Sequence, residues 1–387
     1  MVARTRTRTS DPVNGSVLFA NGTVLNSKFN CVSEQCKDIV GDMFDSYGNL
    51  KDHTFDLTRS KLSGGGLLNG TVKPDSPNWA IYTNYQSEQS LQTGSLMASG
   101  VSSSYTTRLL ASTGPLTPKV NLPLFIFELK DIPLMLKHAG NLLHKIRVPS
   151  GLSPHKEAAA ATLAYQFGWA PLISDLVKLT KFSELAAKRQ RELQKANTKK
   201  GVLRRMNFYD DQETIETASF LASSLSGTLI YASKTERRTR KGWGTVRWVV
   251  RNSQMIGRLP SHNEAFRSAL GLNRGMIPIT VWKALPWSWM VDWFADVSNV
   301  MQANYNMIYY KPTSCCIMEH RTTKVDIKPL SNSGNITMSP VSNFREQKTR
   351  GFGSTSAAKV TLRLPYLDNF KLSILGSLAI LSLSGRR

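Results

Sequence analysis

Two textures of hydrophobic and polar positions alternate along this chain. Up to about residue 125, short apolar runs such as Val17-Leu18-Phe19-Ala20 and Trp79-Ala80-Ile81-Tyr82 sit in a background of Ser, Thr, Asn and Gly. Asn14-Gly15, Asn21-Gly22 and Asn69-Gly70 punctuate these runs. Such dipeptides accept positive φ and predict turns between short strands. From about 126 the apolar spacing becomes helical, with a periodic stretch over 127–146, an alanine-rich one over 154–167, and a long segment opened by Pro171 that ends before Gly201. Proline in a first turn and glycine just past the end are the punctuation a helix expects. At about 100° per residue, Leu172, Leu176, Leu179, Phe182, Ala186 and Leu193 share one face of that helix. Lys181, Lys188, Lys195 and Lys199 share the opposite face, with Arg191 beside them.

Strand texture returns after Gly201, over 202–209, 212–231 and 245–251. In the last of these, Val246, Trp248 and Val250 alternate with Arg247 and Arg251, as a half-buried strand requires. Between them the run Lys234-Thr235-Glu236-Arg237-Arg238-Thr239-Arg240-Lys241, followed by Gly242-Trp243-Gly244, predicts a basic hairpin with an aromatic at its tip. Helical spacing resumes over 263–272 and through a tryptophan-rich block to Asn304. Strands are predicted from 309 to about 364, and a last helix over 368–384. The order β, α, β, α, β, α predicts an α+β fold of two regions, each built from non-contiguous segments. The β-rich region takes 1–125, 201–256 and 309–366, and a helical bundle takes 126–200, 257–308 and 367–387.

Charge changes the picture. The chain has 387 residues, with 49 Lys and Arg against 27 Asp and Glu, a formal net charge of +22. Self-repulsion of this size makes a polyanion the default partner. An anionic membrane surface is the competing explanation, but the apolar tail over 372–383 is far shorter than the ~20 residues of a spanning helix. Between Lys178 and Arg205 there are ten basic residues and only Glu184 and Glu192 as acids. A charge run is usually a solvated face; this one-sidedness instead favours contact with an RNA backbone, which is salt-sensitive and largely blind to sequence. The candidate RNA-binding residues are therefore Lys181, Lys188, Arg191, Lys195, Lys199, Lys200, Arg204 and Arg205, together with Arg237, Arg238, Arg240, Lys241 and Trp243 of the expected hairpin. Unstacked bases can lie on an indole while Arg forks hold phosphate; the same pairing of Trp and Arg suits a protein contact equally.

Little points to catalysis. The six histidines, His53, His138, His144, His155, His262 and His320, form no H-E-x-x-H, and no G-x-S-x-G or Walker lysine is present. Gly64-Gly65-Gly66 imitates part of a dinucleotide fingerprint but lacks its last glycine, and reads as a loop. Cys31, Cys36, Cys315 and Cys316 lack zinc-knuckle spacing. They read as free thiols, with a Cys31–Cys36 loop able to oxidise outside the cell. The expectation is a protein without catalytic residues, metal, cofactor or small-molecule substrate. No apolar stretch follows Met1-Val2-Ala3-Arg4, so synthesis and first use in a cytoplasm are expected.

Two stretches remain. One is Gln166-Phe167-Gly168-Trp169-Ala170-Pro171-Leu172-Ile173-Ser174-Asp175; the other is Val281-Trp282-Lys283-Ala284-Leu285-Pro286-Trp287-Ser288-Trp289-Met290-Val291-Asp292-Trp293. Aromatic residues crowded around a proline are first a core and helix-start signature. Phe167, Trp169, Pro171, Asp175, Trp282, Pro286, Trp287, Trp289, Asp292 and Trp293 are accordingly read as a structural core motif, the aspartates as ion-pair or capping groups. In type and order the two stretches resemble motifs of the maturation (attachment, or A) proteins of the single-stranded RNA bacteriophages, the levivirus family. That resemblance implies an elongated, single-copy virion protein that replaces part of the coat shell. Its helical end would hold genomic RNA near the 3′ region inside the capsid, and its β end would attach the virion to a retractile host pilus for genome entry. The implied partners are genomic RNA, phage coat protein and host pilin. The alternatives are a basic RNA-processing enzyme, and a host-lysis factor that binds a cell-wall enzyme.

Overall fold

The computed structural model describes residues 2–40, 45–46, 51–73, 77–86, 94–102, 104–129, 162, 165–166, 170–223, 229–285, 288–331, 335–356, 358–360 and 369–383. Expected helices over 127–146 and 154–167 therefore lie largely outside the described residues, as do Phe167, Trp169, Pro286 and Trp287. The chain is mixed α+β and divides into two compact units. The first comprises 1–106, 205–245 and 314–354; the second comprises 107–204, 246–313 and 355–387.

Strands β1 (Val2–Thr9), β2 (Pro12–Phe19), β3 (Val24–Asn30), β4 (Val32–Val40), β5 (Phe55–Gly64), β6 (Leu67–Val72) and β7 (Ala80–Gln86) precede the first helix. Later come β8 (Val202–Ser223), β9 (Ile230–Val250), β10 (Tyr310–Pro329), β11 (Thr337–Met338) and β12 (Val341–Phe352). They form a seven-stranded sheet in the order β1-β4-β5-β12-β10-β9-β8 and a five-stranded sheet in the order β11-β6-β7-β2-β3. Period-2 alternation explains the core of the first unit. Val17, Leu68, Val72, Ala80 and Tyr82 meet Ile230, Ala232, Val325, Ile327 and Val341 in one buried cluster, so residues of both sheets share an apolar layer.

Of the three Asn-Gly pairs, only Asn21-Gly22 makes a turn, with Gly22 at φ 80°. Asn14-Gly15 lies within β2, where Asn14 faces Lys28 and Gly15 faces Ser27 of β3. Asn69-Gly70 lies within β6, at a break in its register with β7. Cross-strand pairing has overridden local turn preference at both. The expected hairpin tip at Gly242-Trp243-Gly244 does not exist, because 230–250 is one unbroken strand. Gly242 is buried there, and a Cβ at that position would fall 2.2 Å from the Tyr209 ring, so glycine marks a close approach inside the sheet rather than a turn.

The stretch ending at 125 is not all strand: α1 (Ser104–Thr113) and α2 (Leu122–Leu129) occupy its end, with Leu109, Leu110 and Ala111 buried. The long helix expected from Pro171 is two, α3 (Ala170–Thr180) and α4 (Phe182–Ala196). The break at Lys181 is closed by a short bond from its N–H to the Lys178 carbonyl (3.2 Å), while the Thr180 hydroxyl donates to the Val177 carbonyl (2.7 Å). Such local bonds compete with the helical ladder. The remaining helices are α5 (His262–Ala269), α6 (Ile277–Ala284), α7 (Ser288–Ala295), α8 (Val297–Tyr309) and α9 (Asn369–Leu383). No described helix is long and apolar enough to cross a membrane.

Inside the first unit the seven-stranded sheet buries carboxylates as well as apolar groups. Glu319 accepts from the Tyr209 hydroxyl (2.6 Å), the Ser99 hydroxyl (2.8 Å) and the Gly100 N–H (2.8 Å). Burial and this carboxylate together push the Tyr209 hydroxyl well above its ordinary pKa. Glu346 on β12 is bonded by Lys348 Nζ and His320 Nε2, each at 2.8 Å. Burial raises its pKa, but these bonds overcome that and hold it below the ordinary glutamate range. A carboxyl depressed in the folded state contributes stability above its unfolded pKa of about 4.3 and loses it as pH falls through the folded value. Glu346→Gln should therefore unfold at lower urea than the parent at pH 7, and the difference should shrink as pH drops below about 4. A gap constant across that range in pH-resolved urea melts would contradict this account.

Candidate nucleic-acid interface

The second unit is organised around a turn whose carbonyls are claimed by side chains. Asn306 of α8 is fully buried. Its amide nitrogen donates to the Leu110 carbonyl (2.9 Å), the Ala111 carbonyl (2.9 Å) and the Thr117 hydroxyl (3.0 Å). These carbonyls close α1, where a helix leaves acceptors without intrahelical partners. Gly114 is required by this contact, since a Cβ there would lie 2.0 Å from the Asn306 side chain. Arg204 donates to the Thr113 and Gly114 carbonyls at 3.3 Å each, and Arg189 of α4 donates to those of Pro115 and Thr117. Trp248, also fully buried, donates its indole N–H to the Thr113 hydroxyl (3.1 Å).

This arrangement fixes the orientation of α4. Arg189 points inward beside Ala186, Leu193 and Ala196, all buried. Desolvation draws its pKa down to about 10, opposed by the charge of Glu192, so it stays protonated at neutral pH. Glu192 pairs with Arg189 at 3.2 Å and with Arg204 at 2.6 Å. Lys181, Lys188, Arg191 and Lys195 project from α4 and its start, and Lys199 and Lys200 follow its end; all six are exposed. None forms an ion pair with a described residue. Of the expected apolar face, Ala186 and Leu193 are buried, while the side chains of Leu172, Leu176, Leu179 and Phe182 lie outside what is described.

The other candidates are arranged differently. Arg204 is a structural clamp, as above, rather than a free cation. Arg205 lies in the first unit with its guanidinium 4.8 Å from the Trp243 ring centre, so Trp243 is half-buried on a strand under an arginine. Its neighbours on β9 are matched by acids: Arg240 with Asp211 at 2.5 Å, Lys241 with Asp210 at 3.1 Å, and Arg238 with Glu236 at 2.8 Å and Glu213 at 3.6 Å. Arg237 reaches Asp326 at 4.0 Å. The acids Asp210, Asp211 and Glu213 stand on β8, the neighbour of β9. The cations of β9 are plain in the sequence and their partners are not; the available signal was the acidic run 210–216 just upstream, in the adjacent strand.

The tryptophan motif is structural where it is described. Asp292 accepts from the Ser298 N–H (2.9 Å), the Ser298 hydroxyl and the Trp282 indole (3.4 Å). It thereby serves a first-turn donor of α8, whose own cap residue, Asp296, is left-handed and makes no side-chain cap. Trp289 and Trp293 meet edge to face at 5.1 Å. Asp175 pairs with Lys178 at 2.7 Å. Pro171 lies in the first turn of α3.

Other reactive groups do not converge. His53 is buried, His262 is exposed, His320 bonds Glu346, and His138, His144 and His155 lie outside the described residues. All four cysteines are free thiols. Burial, with Asp52 adding to it, raises Cys315 and Cys316 to about 12. Among the described residues, no group of three or more His, Cys, Asp or Glu is placed to hold a metal.

The chain matches no family model and no curated protein.

Removing the amide that serves the α1 carbonyls should cost about 1–3 kcal/mol for each acceptor left buried and unpaired. Asn306→Ala is expected to lower the urea midpoint accordingly. An unchanged midpoint would show that the turn does not depend on this contact.

Proposed function

We propose that this chain is a phage maturation protein: a single-copy virion component that binds genomic single-stranded RNA, takes a place in the coat shell and attaches the particle to a host pilus for genome entry. The observation that carries the RNA-binding part is the face of α4 and its extension, Lys181, Lys188, Arg191, Lys195, Lys199 and Lys200. These cations are exposed and unmatched by any described acid, whereas Arg237, Arg238, Arg240 and Lys241 of β9 each pair with one. Unmatched charge on a helix anchored from its other side is an electrostatic surface for phosphate. The glutamine-led and tryptophan-rich motifs support the family reading, and with it a non-enzymatic role, coat protein and pilin as partners, and location in the virion. Receptor contact is assigned to the first unit on the same ground.

Lys188→Glu, Lys195→Glu and Lys199→Glu combined should weaken RNA binding strongly. They should also flatten its salt dependence by roughly 0.7 for each phosphate no longer neutralised, the value for single strands. Filter binding at several salt concentrations reads both; an unaltered slope removes the stripe from the mechanism. Particles assembled without the chain should fail to adsorb, and normal adsorption and genome delivery by such particles would defeat the proposal as a whole.

A further inference from the structure

The second unit contains a cavity of about 750 Å³ that the charge stripe does not include. Its size is that of a small-ligand pocket, and its wall is cationic. Arg251, Arg258, Arg267 and Arg274 line it, against Glu264 as the acid in the lining. Glu264 is engaged twice, by Arg258 at 2.8 Å and by the N–H of Ser261 at 3.0 Å in the capping box of α5. Arg251, Arg267 and Arg274 are exposed and form no ion pair with a described residue.

Three tyrosines share that wall. Tyr310 is buried and fixed, its hydroxyl donating to Asn197 Oδ1 (3.1 Å), while Asn197 Nδ2 donates to the Arg258 carbonyl (3.0 Å). Tyr305 is buried as well, but Tyr309 is 57 % exposed. Ser268, a residue 2 % exposed, is also in the lining, with its hydroxyl buried.

An exposed aromatic and unpaired guanidinium groups around one hollow match the parts of a nucleotide. A base stacks on an aromatic face and arginines hold phosphate. We propose that this cavity receives one unstacked nucleotide of a single-stranded RNA, separate from the backbone contacts of α4. The inference rests on the RNA-binding reading above and adds a base-contacting site to it.

The test uses the full chain and a single-stranded oligouridylate carrying 5-iodouridine, photocrosslinked and mapped by mass spectrometry. Adducts are expected on the peptide containing Tyr305 and Tyr309. Tyr309→Ala should weaken oligonucleotide binding about fivefold or more, as removal of one stacking platform does, without moving the thermal midpoint. Arg267→Glu should also weaken binding. Adducts confined to other segments, with unchanged affinity in Tyr309→Ala, would overturn the pocket and leave the α4 stripe standing. No binding of the oligonucleotide at low salt would overturn both. If oligoglutamate binds and loses affinity in Tyr309→Ala while the oligonucleotide does not, the cavity is a protein contact and the proposal fails.

Discussion

The second unit depends on keeping the carbonyls of residues 110–117 bonded once they are out of water. Asn306, Arg204 and Arg189 each supply donors to them, and all three come from segments remote in sequence. A buried acceptor without a donor costs a large share of a domain's net stability, so these side chains are not interchangeable with apolar residues of the same size. They also tie α1, α4 and α8 to one turn, and Glu192 between Arg189 and Arg204 keeps the concentrated positive charge tolerable.

The proposed RNA surface follows from this anchor. An arginine buried on one side of α4 leaves the lysines of the other side facing solvent, where no described acid meets them. In the first unit the opposite arrangement holds for Arg238, Arg240 and Lys241 of β9, each of which meets a carboxylate of β8. The excess of base over acid in the chain is therefore unevenly expressed, and a polyanion would sense the face of α4 more than the sheet. The cavity walled by Arg251, Arg267, Arg274 and Tyr309 adds a second kind of contact, in which shape and stacking join charge.

Where it is described, the aromatic motif makes structural contacts. Asp292 looks like a candidate acid in an apolar run, yet its oxygens are used by Ser298 and Trp282, and it starts α8 where the left-handed Asp296 makes no side-chain cap. That helix follows directly on Asp296 and carries Asn306 near its end, so the Asp292 bonds start the helix that supplies the carbonyl clamp.

The sequence by itself determined the α+β class, the alternation of strand and helix segments, the inward Val246, Trp248 and Val250, and the outward Lys188, Arg191, Lys195 and Lys199. Periodicity is local information, and a residue's neighbours at intervals of two or about 3.6 are enough to assign its face. Only the tertiary structure decided that Gly242 lies under Tyr209 in an unbroken strand, that Asn14-Gly15 pairs within a sheet, and that Arg204 is a clamp. It also decided that Arg240 and Lys241 are neutralised, and that four arginines and three tyrosines surround one cavity. Each of those outcomes depends on a partner distant in the chain or across a strand pairing, and neither propensity nor spacing encodes which residues will meet when the backbone closes on itself.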